Sequence, residues 1–281
     1  MNGIDISRYQ KGINLAAVPS DFVIVKASQG SSSSVYPTFK EQITEADRLG
    51  KCIGVYHYAS QGGAIPEAEK FLKTVKDYIG KAILCLDWEG RDNPNFPNPE
   101  YAMAWLKYVE QKTGIKPFIY MSKSVCRQYK NVWDSSFPLW CAQYANYQYT
   151  GYKDNPWTDS YGFGSWKNCV IFQYSSRGRL PGYFGDLDLD KAYISKEQWK
   201  QYAEGQTVKP PDTELPLLKK GSRNEYVKHW QMFLNLNGYN CGTVDGIFGS
   251  KTEAAVKKWQ KDHNLVSDGI IGSKTWASIG L

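Results

Sequence analysis

The sequence predicts an α/β chain: an irregular β/α barrel whose later helices are missing or reduced, followed by a small all-α repeat module. Three observations predict it. Over residues 1–202, eight short apolar runs alternate with amphipathic segments. A proline-rich stretch at 203–216 interrupts that alternation, and beyond it a short motif recurs after 23 residues. Strands alternating with helical segments are the pattern of a parallel sheet wrapped by helices, TIM-like when eight strands close on themselves.

The strand candidates are rich in β-branched and aromatic residues and have strand length. They are GIDIS (3–7), FVIVKAS (22–28), CIGVYHYA (52–59), AILCLDWE (82–89), PFIYMS (117–122), PLWCAQY (138–144), NCVIFQYS (168–175) and DLDLDKA (186–192). Between the early ones lie TFKEQITEADRLG and PEAEKFLKTVKDYIG, and a third helix runs from Asn98 to Gly114 with Pro99 just inside its start. The later connections are too short or irregular for full helices, so the second half departs from the regular alternation. The segment AEGQTVKPPDTELP reads as a linker, dividing the chain into 1–202, 203–216 and 217–281. In the last part Asp245-Gly-Ile-Phe-Gly-Ser-Lys-Thr-Glu returns as Asp268-Gly-Ile-Ile-Gly-Ser-Lys-Thr-Trp. Each copy reads as a tight glycine turn leading into a helix, with Ser250 and Ser273 as expected N-caps. The helix before each copy carries a Trp-Gln pair, Trp230-Gln231 and Trp259-Gln260.

Composition narrows the chemistry. Three histidines (His57, His229, His263), scattered along the chain, argue against a His-rich metal site, and no metal or other cofactor is expected. The net charge of +6 is spread without a basic stripe, which argues against nucleic acid. No apolar run has membrane-spanning length, so no membrane insertion is expected. The six cysteines show neither CxxC nor zinc spacing and read as buried free thiols from a reducing compartment. Nothing at the start reads as a secretory signal. Of 41 aromatic residues, 34 fall in 1–202.

The most informative run is Ala82-Ile-Leu-Cys-Leu-Asp-Trp-Glu89. On a strand, residues i and i+2 share a face, which sets Asp87 and Glu89 side by side, about 6.5 Å apart at Cα. Asp5 and Asp188 sit at comparable places, the latter near the end of the last strand. Four acids at one barrel mouth repel one another, raising the proton affinity of at least one and leaving a protonated acid beside ionised ones. Glycoside hydrolysis needs that combination. Asp190 reads instead as a turn or cap residue. Tyr56, Tyr58, Tyr120, Trp140, Tyr144 and Tyr174 lie at strand ends beside the acids, with faces suited to sugar rings and hydroxyls to sugar oxygens. His57, between two tyrosines on a strand, points away from them and reads as a packed, hydrogen-bonded core residue.

Together, GxDIS at the start, YHY in the third strand, the strand-ending DWE and QYS followed by DLDLD resemble glycoside hydrolase family 25, the Chalaropsis-type lysozymes or muramidases. The resemblance implies a barrel with reduced later helices, Glu89 as general acid, and Asp87 as the carboxylate that steadies the substrate's 2-acetamido group. Asp5 and Asp188 complete the implied site, with Tyr56, Tyr120, Trp140, Gln173 and Tyr174 along the substrate groove. One departure stands out: many relatives read KATEG after the second strand, where this chain has Lys26-Ala-Ser-Gln-Gly30. Residues 217–279 resemble the type 1 peptidoglycan-binding domain, which implies bacterial peptidoglycan as partner and a tethering role. No ligand contact is assigned in that module, and the sequence carries no signature of oligomeric state.

The implied function is hydrolysis of the β-1,4 bond between N-acetylmuramic acid and N-acetylglucosamine, leading to wall lysis. The alternatives are a chitinase-like glycosidase, a wall amidase or cysteine peptidase, and a non-catalytic wall-binding lectin. An amidase lacks its histidines here, a peptidase its motif, and a chitinase the further aspartates upstream of the DxE pair. The free thiols and missing signal suit a phage endolysin made in the host cytoplasm and acting after membrane breach. A secreted autolysin whose leader has been removed is the other origin.

Overall fold

The computed structural model describes residues 1–32, 37–208 and 215–279. The chain divides into two compact units, Met1–Pro156 with Phe163–Pro211, and Trp157–Gly162 with Asp212–Leu281. The middle of the proline-rich linker, 209–214, lies outside the described residues, whereas its first residue, Ala203, ends a helix and is buried.

The first unit is a closed eight-stranded barrel. Its strands are β1 (Asn2–Ile6), β2 (Phe22–Gln29), β3 (Cys52–Tyr58), β4 (Ile83–Asp87), β5 (Phe118–Ser122), β6 (Leu139–Ala142), β7 (Ile171–Gly178) and β8 (Leu187–Ala192), hydrogen-bonded in that order. Strands β1 to β7 run parallel. β8 runs antiparallel to both β7 and β1, which the sequence pattern did not foresee. Helices α1 (Pro37–Arg48), α2 (Ala64–Val75) and α3 (Pro99–Thr113) follow β2, β3 and β4. α3 starts as its sequence demands, with the Asn98 side chain accepting from Glu100 N–H, Pro99 in the first turn, and Gly114 left-handed at φ 72°. Between β5 and β8 the six-residue α4 (Lys123–Gln128) is the one α-helix among the described residues, and segments 143–170 and 179–186 carry no helix.

Strand alternation sorts the side chains into two layers. Ile4, Val23, Val25, Val55, Leu84, Leu86, Ile119, Leu139 and Leu189 point outward and pack against the helices. Phe22, Ile24, Ile83, Cys85, Phe118 and Ile171 fill the lower interior. Helix α5 (Lys196–Ala203) closes that floor. Trp199 lies 4.8 Å from the Phe22 ring and donates its indole N–H to Ile53 O at 2.9 Å, while Tyr202 meets Phe118 edge-on at 5.1 Å. Gly3 is required where β1 enters the interior, because a Cβ there would stand 2.4 Å from the Phe22 ring. His57 points outward, as expected. Its Nδ1 meets Ser28 Oγ and its Nε2 meets Glu67 of α2, both at 2.9 Å, and Trp105 stacks on its ring.

The second unit is built from α6 (Glu225–Leu236), α7 (Ser250–Asp262) and the short α8 (Ser273–Ala277) around Trp230, Trp259 and Trp276. The expected serine caps are corrected. Gly249 and Gly272 occupy the N-cap positions, and Ser250 and Ser273 are the first helical residues. The positive φ falls on the preceding glycines, 78° at Gly246 and 77° at Gly269. Each Trp-Gln pair has a divided role: tryptophan in the core, glutamine as a buried hub. Gln231 donates to Asp245, Ile247 O and Thr252, and accepts from the N–H groups of Asp245 and Gly246. Gln260 repeats this with Asp268, Ile270 O, Thr275 and Gly269 N–H.

All six cysteines are free; Cys52 is partly exposed and the others buried. Among the described residues no helix is long and apolar enough to cross a membrane, and no group of three or more histidine, cysteine or acidic side chains is arranged to hold a metal.

Candidate active site

Above the apolar floor the barrel interior turns acidic. On β1 the alternation that sends Ile4 and Ile6 to the helices brings Asp5 inside. On β4 the same alternation brings Ile83, Cys85 and then Asp87 inside. The β4 ladder ends at Asp87, so Glu89 lies just beyond the strand rather than on it. What positions Glu89 is the backbone between: Trp88 donates its N–H to Tyr120 O at 2.9 Å and buries its ring outside the barrel, stacked on Tyr101. From β8, Asp188 pairs directly across from Asp5. Because β8 is antiparallel, Asp188 reaches the mouth from the start of its strand, not from the end as expected.

Asp190, expected in a turn, is instead a fully buried strand residue inside the barrel, in register with Gly3 and Gln173. The period-2 spacing of DLDLD carries this, since residues 188 and 190 must share a face. Its Oδ1 accepts the Trp140 indole N–H at 2.8 Å. Its Oδ2 meets no N–H donor among the described residues, so the hydrogen bond open to it is one from a protonated Asp5. Burial, followed by repulsion from Asp190, raises the Asp5 carboxyl well above the usual range, against the amide of Gln173, which donates to Asp5 at 2.6 Å. Burial likewise pushes Asp190 up to about 8.

The same force acts on the other acids. Asp87 is raised by burial and then by Glu89, and its Oδ1 has no hydrogen-bond partner among the described residues. Burial raises Asp188, with Asp5 and Glu89 adding repulsion. Glu89 is raised by burial too, opposed by the Tyr120 hydroxyl and by Lys26. Lys26, on the inner face of β2, is a cation among them. Burial pushes it down to about 8 although Asp87 pulls it upward. It donates to Gln29 at 2.9 Å and lies 4.2 Å above the Tyr58 ring. Gln29 thus offers this ammonium a neutral partner. A lysine at the inward phase of FVIVK was the signal for it.

The aromatic residues wall the acids more than they offer open rings. Tyr56, Tyr120 and Trp140 are buried in the interior, with Trp140 packed edge-on to both tyrosines. Tyr58 donates its hydroxyl to Arg91 O. Tyr144 reaches Gln173 at 2.5 Å, and Tyr120 reaches the same oxygen at 2.8 Å. Tyr174 corrects its expectation. Adjacent to the inward Gln173, it turns outward, packs in the helix layer and accepts from Lys153 N–H at 3.1 Å.

Comparison with known proteins bears on this arrangement. The model of "Glycosyl hydrolases family 25" matches residues 4–183, which span Asp5, Asp87 and Glu89. The chain belongs to glycosyl hydrolase family 25. The lysozymes of this family are glycoside hydrolases, and so is this chain. A second model, "Putative peptidoglycan binding domain", matches residues 223–279. The chain is 26% identical to the autolytic lysozyme of Clostridium acetobutylicum over 98% of its own length and 77% of that protein's. To lysozyme M1 of Streptomyces globisporus it is 28% identical, over 68% of this chain and 67% of the relative. In fold it is similar to the lysozyme of Streptomyces coelicolor (TM-score 0.60, 19% identity, 74% of this chain and 98% of that one). It is likewise similar to the catalytic domain of endolysin ply40 from Listeria monocytogenes phage P40 (TM-score 0.58, 22% identity, 73% and 98%). A family 25 barrel with a peptidoglycan-binding module has peptidoglycan as its substrate class.

Proposed function

We propose that this chain is a muramidase that cuts the β-1,4 bond between N-acetylmuramic acid and N-acetylglucosamine, lysing the bacterial wall. Glu89 protonates the glycosidic oxygen as the bond breaks through an oxocarbenium-like state, and Asp87 steadies the 2-acetamido group. The observation that carries this reading is the Asp87–Glu89 pair at the end of β4. Both carboxyls are held above their ordinary proton affinity by burial, with Lys26 opposing from β2. An acid that keeps its proton toward neutral pH beside further carboxylates can donate to a leaving oxygen and stabilise the cation that follows. The second step uses the acetamido oxygen or a water activated at Asp5 or Asp188. Burial and the repulsion of Asp190 strengthen the hold of Asp5 on its proton, which works against Asp5 as a base. The C-terminal module holds the enzyme on its polymer and raises the local concentration of bonds.

The test is analysis of the ends released from purified wall. New reducing N-acetylmuramic acid ends are expected, without new amino groups. Glu89→Gln is expected to lower that release about a thousandfold. Activity surviving within about tenfold, roughly 1.4 kcal/mol of barrier, removes Glu89 from the role.

A further inference from the structure

The rim above β6, β7 and β8 carries charge and aromatic surface that the hydrolytic site does not use. Beyond β6 the chain runs out along the mouth and is stitched to the end of β7 at Thr150. The Thr150 N–H donates to Arg177 O at 3.3 Å, and the Thr150 carbonyl accepts from Arg179 N–H at 2.9 Å. This brings two guanidinium groups to one ring, with the Cζ atoms of Arg177 and Arg179 each 4.1 Å from the centre of Tyr149.

Backbone carbonyls and one carboxylate hold these cations. Arg177 donates to Tyr147 O at 3.1 Å and to the Tyr149 hydroxyl. Arg179 donates to Gly178 O at 3.1 Å and Gly185 O at 2.9 Å. Asp186 is the carboxylate paired with both, in contact with Arg179 and 3.7 Å from Arg177. Two positive charges therefore stand against one negative, on side chains a third or more exposed. The surrounding surface is aromatic: Tyr147 is 68% exposed and Tyr149 57%. This rim is continuous with the acids. The Tyr147 ring lies 6.0 Å from Tyr144, whose hydroxyl meets Gln173, which in turn holds Asp5.

The geometry points to Arg177 and Arg179, fixed around Tyr149, as a subsite for an oxyanion carried as a branch on the glycan, either a carboxylate of its peptide or a phosphate of an attached polymer. Planar guanidiniums fit both groups in a forked pair of hydrogen bonds. Carbonyl partners that already hold them lower the ordering cost of binding. Tyr147, between this pair and the catalytic acids, supplies an open ring face for the sugar in between. This subsite rests on the glycan substrate proposed above.

The test uses the full Glu89→Gln chain, which holds substrate without cutting it, titrated calorimetrically with three soluble probes. They are a wall tetrasaccharide bearing its peptides, the peptide-free tetrasaccharide with its lactyl carboxyls capped as amides, and that capped form carrying a 6-phosphate. Adding Arg177→Gln and Arg179→Gln is expected to weaken a charged probe about fivefold and to leave the capped neutral probe within about twofold. The probe that loses affinity names the anion. Asp186→Asn, which removes the internal counter-charge and leaves both arginines, is expected to tighten the same probe about twofold. An equal loss on all three probes would reduce the arginines to loop supports and overturn the subsite, and so would no change on any. Failure of the unsubstituted chain to release reducing ends would count against the proposed hydrolysis and leave the binding comparison intact.

Discussion

The barrel mouth and the repeat module bury polar groups in opposite ways. In the module, Gln231 places its amide so that donors and acceptor are all used, and Gln260 does the same in the second copy. Such a hub is architecture, because the polar atoms of the amide itself are all matched. In the mouth, Asp5, Asp87, Glu89, Asp188 and Asp190 crowd together, with Lys26 opposing Asp87 and Glu89. Asp87 Oδ1 is left unmatched among the described residues. A fold does not gather acids in this way for stability. The contrast separates a region shaped to stand still from one that stores a proton where chemistry needs it.

That contrast can be broken or sharpened by substitution. The largest effect is expected from Asp87→Asn. It should lower kcat by about a hundredfold or more, close to 3 kcal/mol of barrier, while the melting temperature at pH 7 holds or rises. A matching loss of Tm would mean that Asp87 is structural. Gln231→Ala is the mirror experiment. Stranding the N–H groups of Asp245 and Gly246 should cost the module about 3 kcal/mol. Hydrolysis of a soluble oligosaccharide should be unchanged, since that chemistry belongs to the barrel.

Asp190→Asn comes next. A carboxyl whose proton affinity is raised by folding stabilises the native state below its unfolded pKa. That contribution is lost as pH climbs toward the folded value, here from about 4 to about 8. The substitution keeps an acceptor for Trp140 and removes the repulsion. The Tm should therefore rise at pH 8 by several degrees, on the order of 2 kcal/mol, with no gain at pH 4. The smallest effect is Lys26→Met. Without its ammonium, Glu89 and Asp87 hold their protons more tightly, and the alkaline limb of kcat/KM should move up by about one pH unit. A limb that stays in place would mean that Lys26 is screened from the acids.

The legible part of this molecule was what alternation and spacing control. Apolar runs mark all eight strands, and the DxE pair together with Asp5 marks the mouth. The reduced second half was visible too, because segments 143–170 and 179–186 lack helical periodicity. Strand direction was not visible. An eight-residue connection after β7 suits an antiparallel neighbour, yet the side-chain pattern of DLDLDKA is the same in either direction. That ambiguity puts Asp188 at the wrong end of its strand, whereas the inward place of Asp190 follows in either direction from its period-2 spacing with Asp188. Tyr174 cannot share the groove with its neighbour Gln173, because adjacent strand residues face opposite ways. The rim of Tyr147, Tyr149 and the two arginines could not be read, because it depends on Thr150 pairing with Gly178 across an irregular loop.

The floor built by Phe22, Phe118 and Trp199 has a further consequence for how a polymer is handled. A sealed barrel has one opening, so a glycan strand cannot be threaded through it from a free end. A strand laid across the mouth is cut internally and shortens early, whereas a strand that enters by its tip loses terminal units, and the sizes of the earliest products tell the two apart.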